Sequence, residues 1–447
     1  MRTTNNTPGL TAKIWCGRRY QAYCCIATKC GLTPSRFTSY WVLFAFVVIC
    51  TLFARSIASR DPGSWFFDPD VAYAPKYSAV RKWQAERFIA SASHAAPRSS
   101  GTRTPQICVG IASVARSGAR YLRTTVGSLL AGLDEPERDG IKLVVLIAHT
   151  DATTHPAYQE PWLSNLADEV LLYNLSQTER LYVDSLERDD VEHRTKGLYD
   201  YTYLLKACHA AGTPYIAMIE DDVIAMDGWY HRTIEGIKQA EARTFGNGFL
   251  YLRMFYTEEF LGWNSAYWTF YTFWSILTIA TSAGLLCWAR SSFAVIKGIL
   301  TPRLLLFICA ALIPWAIVLV FAVGRVTVFP LPEGVNEMNN FGCCAQGLVY
   351  PRHKATNLID WYTSSRVGFA DMLTEQYADE HEEQRWALTP SVLQHVGGKS
   401  SKPNDFGHGA KYSMSVAGTI WNFAFELNKV KELLEEHRLA AMNPAVL

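Results

Sequence analysis

No acidic residue occurs among the first 60 positions, and three long stretches contain no charged residue of either sign. Charged residues make up only 19% of the 447, and the formal net charge is +1. That near-neutral balance gives no basis for nucleic-acid binding through bulk electrostatics. No pair of the 11 cysteines has zinc-finger spacing. No internal repeat is visible. The uncharged stretches also lack the ionisable groups that line a transport pathway, which argues against a channel or transporter.

What is present is apolar length. Phe37–Ala54 runs 18 residues, Phe260–Ala289 runs 30 and Leu304–Gly324 runs 21, all uncharged. At about 1.5 Å per helical residue, even the shortest just crosses a hydrocarbon core. Lys13, Arg18, Arg19, Lys29 and Arg36 precede the first stretch, and Arg290, Lys297 and Arg303 lie between the other two. The positive-inside rule then puts the N-terminus and the hairpin tip in the cytosol, and the rest of the chain in the lumen.

The expected layout follows: a cytosolic tail over 1–36, an anchor over 37–54 and a lumenal stem over 61–105. A catalytic domain begins over 106–259. A two-helix transmembrane hairpin is inserted over 260–324, with Pro314 kinking its second span. The second part of the domain and a C-terminal region occupy 325–447. A short helix is expected around 76–91. Cys108, Cys208, Cys343 and Cys344 face the oxidising lumen and form one or two disulfides of open pairing. Asn174-Leu175-Ser176 is a lumenal glycosylation sequon.

From Ile107 the pattern is α/β. Ile107–Ser113, Ile141–Ala148, Val170–Tyr173 and Tyr215–Ile219 read as strands, the continuous apolar run at 141–148 marking a buried parallel one. Tyr121–Leu130 and Val191–Ala211 read as helices. Glu220-Asp221-Asp222 follows the last strand, at the carboxyl end where open α/β sheets place ligands.

Clustered carboxylates there can hold Mg2+ or Mn2+ against a diphosphate, since these ions take oxygen ligands and leave positions for phosphate. The alternative is a solvated strand end. His395 can join them as a metal ligand or phosphate donor, or sit as a buried structural histidine. Arg116, beside Ser117 and Gly118, is positioned to close over a base or ribose. Arg194 and Lys196 are candidates for nucleotide or phosphate contact, with a helix-face salt bridge as the alternative. Lys399, opening the stretch Lys399–Lys402, can cover a diphosphate. Asp371 and Glu375 share a helix face at i,i+4 and are the candidates for an acceptor-side base. Asp371 is preferred for its place near the helix N-terminus, with Glu375 orienting it or the acceptor.

Tyr215–Asp222, Phe341–Arg352 and Pro390–Gly397 together resemble the GT-A-fold glycosyltransferases related to N-acetylglucosaminyltransferase four. The hairpin between the acidic motif and the second segment is similar to the branch of that family acting on the GPI glycan in the Golgi. The resemblance implies a GT-A-like α/β catalytic domain, a UDP-sugar donor, Mn2+ with Mg2+ as the alternative, and an inverting single displacement. For that branch it implies transfer of GalNAc from UDP-GalNAc, β1,4-linked, to the first mannose of the GPI glycan on GPI-anchored proteins. The enzyme is then expected as a multi-pass Golgi membrane protein with a lumenal catalytic domain. The resemblance carries Glu220, Asp221 and Asp222 onto the acidic metal and nucleotide motif, with Asp222 as a direct ligand, and Asp371 onto the acceptor side. A transferase using UDP-GlcNAc or another donor on a different lipid- or protein-linked glycan shares these motifs. A noncatalytic membrane adaptor is the remaining alternative, and it would tolerate neutral residues at 220 and 222.

Overall fold

The computed structural model describes residues 34–94, 104–190, 192–244, 248–338, 344–399 and 410–442. Phe341–Cys343, the stretch 400–402 and most of the expected cytosolic tail lie outside the described residues. The chain divides into two units, residues 1–59 with 269–323, and residues 60–268 with 324–447.

Among the described residues, three helical stretches, Trp41–Ala58, Glu258–Ser292 and Pro302–Val323, are long and apolar enough to cross a membrane. A helix suits that role because it satisfies every backbone polar group within its own segment. Within the first unit, Ile313–Val323 packs against Pro34–Ala58. A single π-turn, Ile308–Leu312, immediately precedes Ile313 and Pro314. Proline has no N–H for the carbonyl of Ala310 and its ring crowds that carbonyl, so the helix takes up one extra residue there.

The second unit is built on ten strands: β1 Ile107–Ser113, β2 Ile141–Ile147, β3 Glu169–Leu171, β4 Tyr215–Glu220, β5 Val223–Ala225, β6 Tyr251–Arg253, β7 Gly334–Glu337, β8 Gly347–Pro351, β9 Arg385–Thr389 and β10 Leu393–His395. Eight form one mixed sheet in the order β3-β2-β1-β4-β8-β6-β9-β7. The β3, β2, β1 and β4 neighbours are parallel, and β8 joins β4 antiparallel, pairing Ile216 with Tyr350 and Met218 with Leu348. Strands from both sides of the apolar 269–323 segment therefore share one sheet.

Burial on both faces explains the continuous apolar runs of β1, β2 and β4. One face carries Ile107, Val109, Ile111, Val145 and Ile219, packed with Leu122, Val126, Trp229 and Ile234 of the covering helices. The other carries Cys108, Val144, Leu146, Ile216 and Met218 against Leu204, Leu205 and Leu358. Each such fully buried aliphatic side chain contributes roughly 1.5–3 kcal/mol. The expected helix near 76–91 is present as Tyr77–Ala92 and lies against Tyr121–Leu130. The two cross so closely at Gly127 that a Cβ would meet the Ala85 carbonyl oxygen at 2.7 Å. Arg81 of that helix is buried and donates to the carbonyls of Ala225, Ser128 and Ala131. It thus ties the segment after the first apolar stretch into the sheet domain. Asn174 of the sequon is exposed, and Ser176 caps the helix Gln177–Asp189 with a capping box to Glu179.

Candidate functional site

β4 ends at Glu220, and the chain turns through Asp221 and Asp222 into β5. β5 pairs antiparallel with β10, with Val223 opposite His395. The Val396 N–H donates to the Asp222 carbonyl at 2.9 Å and extends that pairing past the turn. Thr125 fixes the turn from the other side, its hydroxyl lying 2.7 Å from the Asp221 carbonyl and accepting from Val223 N–H at 3.2 Å. The acidic triplet therefore sits on a backbone held by two neighbouring elements, with the Glu220 and Asp222 carboxylates converging and that of Asp221 turned away from them.

Glu220, Asp222 and His395 each offer a ligand atom, and these atoms all lie within 4.8 Å of one another. His395 Nε2 is 3.5 Å from Asp222 Oδ2, and its Nδ1 lies 3.0 Å from the Ile420 carbonyl. The carbonyl can only accept, so Nδ1 carries a proton and orients the ring with Nε2 toward the carboxylates. Asp222 Oδ1 is buried with no hydrogen-bond partner. A buried carboxylate oxygen left bare is costly unless a cation meets it. Gly397 leaves the space open, because a Cβ there would stand 2.3 Å from Asp222 Oδ2 and 2.7 Å from His395 Nε2. The orphaned oxygen, the oriented ring and the missing Cβ fit a divalent cation held by Glu220, Asp222 and His395.

Titration of the cluster follows from its crowding. Burial and the adjacent Asp222 push the Glu220 carboxyl up, with Asp371 adding to the effect. Burial also works against the Asp222 carboxylate, but His395 and Arg116 outweigh it and hold Asp222 low. For His395, burial is overcome by Asp222 and Glu220, which favour the charged ring. A bound cation supplies the same compensation.

Asp221 points the other way. Arg116 Nη1 binds its Oδ1 at 2.6 Å, and Nη2 reaches Asp222 Oδ2 at 3.8 Å. The Ser113 hydroxyl at the end of β1 donates to Asp221 Oδ2. His155 Nε2 lies 3.0 Å from Ser113 Oγ, while His155 Nδ1 accepts from Ala157 N–H. Burial, together with His149 and Arg116, brings His155 down to about 4, so its ring is neutral. Beside these groups opens a cleft lined by Ser113, Arg116, Tyr121, Arg123, His155 and Asp221 among others. Arg116 Nε is buried there without an acceptor.

The other residues singled out from sequence have distinct surroundings. Lys399 closes on the Arg116 loop, its backbone N–H donating to the Tyr121 hydroxyl at 3.1 Å and its Nζ to the Ser117 carbonyl at 2.6 Å. Asp371 lies in the first turn of the helix Ala370–Glu380, near enough to the cluster to raise Glu220 electrostatically. Glu375, one turn on, accepts from Arg253 at 2.8 Å and Arg385 at 2.9 Å, and from the Tyr251 hydroxyl. Arg194 is exposed at the start of the helix Arg194–Ala210, with its guanidinium over the Phe369 ring. Lys196 is buried, and its ammonium donates to the Ala148 carbonyl, the Tyr173 hydroxyl and both oxygens of Asp200. Ser113, His155 and Gly397 were not singled out from sequence. Ser113 and His155 act through residues far off in the chain, and the only sequence cue for Gly397 is the glycine pair following His395.

A family described as GPI-N-acetylgalactosamine transferase PGAP4 matches residues 107–394. The chain is 31% identical over 130 residues to the human alpha-1,3-mannosyl-glycoprotein 4-beta-N-acetylglucosaminyltransferase B, covering 27% of this chain and 24% of that protein. It is 25% identical over 201 residues to the bovine alpha-1,3-mannosyl-glycoprotein 4-beta-N-acetylglucosaminyltransferase A, covering 40% and 37%. The zebrafish B enzyme is 28% identical over 137 residues, covering 28% and 24%. The match thus spans between about a quarter and somewhat over a third of these relatives' own lengths.

Proposed function

Since the chain belongs to the GPI-N-acetylgalactosamine transferase PGAP4 family, we propose that it moves GalNAc from UDP-GalNAc to the first mannose of the GPI glycan on membrane-anchored proteins. The observation carrying this reading at the site is the Glu220–Asp222–His395 cluster with its bare buried carboxylate oxygen, next to a cleft walled by Arg116 and Asp221. The cleft takes the nucleoside end of the donor. Arg116 and Lys399 face its phosphates, and Asp221 is held in place by Ser113 and Arg116. A divalent ion, Mn2+ in our reading, supplies the positive charge that neutralises the departing diphosphate.

Asp371 acts as the base. It takes the proton from the acceptor hydroxyl, whose oxygen then bonds to the anomeric carbon on the face opposite the diphosphate as the carbon–diphosphate bond breaks. Inversion follows from that geometry. Glu375, clamped by Arg253 and Arg385, holds the helix that carries Asp371. Lys196, paired with Asp200 on the buried side of the helix Arg194–Ala210, ties that helix to the Ala148 carbonyl after β2. The three apolar helices are an N-terminal anchor and a hairpin inserted between the two parts of a lumenal GT-A-like domain, in the Golgi membrane.

The test measures UDP release from purified protein with Mn2+, UDP-GalNAc or UDP-GlcNAc, and a GPI-anchored acceptor, beside Asp222→Ala. Acceptor-dependent turnover with UDP-GalNAc is expected. The substitution should lower it about a thousandfold, equivalent to about 4 kcal/mol of transition-state stabilisation. Turnover with UDP-GlcNAc alone would move the reading to a different donor. Full activity in the Asp222→Ala protein would remove the metal site from it.

A further inference from the structure

A second cluster shares no residue with the acidic turn. Glu137 lies in the short helix Glu135–Asp139, His231 in the helix Trp229–Arg243 and His437 in the C-terminal helix Val430–Met442. All three are buried, with relative exposures of 2%, 6% and 6%. One ligand atom from each lies within 4.8 Å of the others.

The two rings are arranged alike. His437 has Nδ1 at 2.8 Å from Asp227 Oδ1 and Nε2 at 2.8 Å from Glu137 Oε2. His231 has Nε2 at 3.4 Å from Glu436 Oε1, while its Nδ1 faces Glu137 Oε1 at 3.9 Å. Each imidazole therefore has an outer nitrogen against a carboxylate and an inner nitrogen turned toward Glu137. An outer carboxylate of this kind fixes the tautomer and presents the inner lone pair to a metal. His231 Nδ1 is buried with no hydrogen-bond partner, although its ring is enclosed. That nitrogen faces Glu137 Oε1 across 3.9 Å, a gap too long for a hydrogen bond and one that an ion would bridge.

We propose that Glu137, His231 and His437 bind a structural Zn2+, with Asp227 and Glu436 orienting the two rings, and that the ion pins the C-terminal helix to the sheet domain. Two imidazoles and one carboxylate form a donor set suited to Zn2+ rather than to the oxygen-seeking Mn2+ or Mg2+. Binding releases the proton from the inner nitrogen of His437 to solvent. The competing occupant is that proton itself. The hydrogen bonds to Asp227 and Glu137 push His437 up to about 10, so an imidazolium bridge can hold the helix without metal. It leaves His231 Nδ1 unpartnered.

The experiment measures metal content of the full-length protein, expressed with zinc in the medium and passed over chelating resin, by elemental mass spectrometry. About one Zn2+ per chain is expected in the wild type and in Asp222→Ala, with a fivefold or greater loss in His231→Asn and His437→Asn. Co2+ loaded into the wild type should give the visible bands of a four-coordinate site, a readout that needs no folded variant. Folded, active wild-type protein without zinc and without those bands overturns the proposal and leaves an imidazolium bridge only. Zinc that survives in both histidine variants, or disappears in Asp222→Ala, overturns it as well.

Discussion

At Gly397 a methyl group would sit 2.3 Å from Asp222 Oδ2, inside the space a cation needs. Gly397→Ala should therefore weaken metal binding without unfolding the protein, because the neighbouring Gly398 has open space around it and the clash is confined to the site. The Mn2+ concentration giving half-maximal UDP release should rise about tenfold or more, with the thermal midpoint unchanged. An unaltered metal requirement would mean that the cation binds elsewhere. Arg116 makes a different kind of contribution. Its guanidinium reaches both Asp221 and Asp222, and its own pKa is raised because these carboxylates outweigh its burial. Arg116→Lys keeps the charge and loses the fork. The donor KM should rise by about one to two orders of magnitude while acceptor KM holds. Equal effects on both would indicate a general distortion of the turn.

Single elements show how much of this was written in the chain. The apolar run Tyr215–Ile219 is legible as a central strand because both faces of β4 are buried, and the acidic triplet is legible as its ligand-facing end. The pairing that completes the site is not: His395 meets Val223 across 172 positions, a contact that local periodicity does not encode. The helix Gln177–Asp189 is not among the expected elements although Ser176 and Glu179 form a capping box; it is mostly charged and buries only Val183, so no continuous apolar face marks it. The sequence divides the cysteines by compartment, but only the fold pairs Cys108 of β1 with Cys208 of the helix Arg194–Ala210, a separation of 100 residues. On chain entropy alone, closing so long a loop stabilises by roughly 4–5 kcal/mol. Cys108→Ser with Cys208→Ser should lower the midpoint of denaturant unfolding accordingly. An unchanged midpoint would mean that packing against Leu204 suffices. The same helix carries the buried Lys196–Asp200 pair, 2.8 Å apart. Lys196→Met alone leaves a buried carboxylate and should cost about 3–5 kcal/mol, whereas Lys196→Met with Asp200→Leu should recover most of it. A tenfold rise in donor KM in that restored double variant would show that Lys196 touches the nucleotide after all.

The whole chain joins a sheet assembled from both sides of residues 269–323 to two apolar helices that lie between them in sequence. An insertion there is unnecessary for holding the protein in a membrane, since Trp41–Ala58 can do that alone. As a membrane hairpin it would also tether the sheet domain to the bilayer at further points, between β6 and β7 in the chain. Tethering at several points limits how the domain can tilt, and so raises the effective concentration of an acceptor whose glycan is itself fixed to the bilayer. Replacing 269–323 by a flexible soluble linker, with the N-terminal helix kept, separates anchoring from orientation. UDP release with a detergent-free, water-soluble GPI glycan should be unchanged, because the acidic turn, the cleft and Asp371 lie outside the exchanged segment. Turnover of the same glycan on protein embedded in vesicles should fall about tenfold or more, the loss expected when one of two linked engagements is removed. Equal rates on the two acceptors would reduce the hairpin to a second anchor. Loss of both would mean that the sheet needs the hairpin to fold, a result that the circular dichroism and thermal midpoint of the variant would reveal directly.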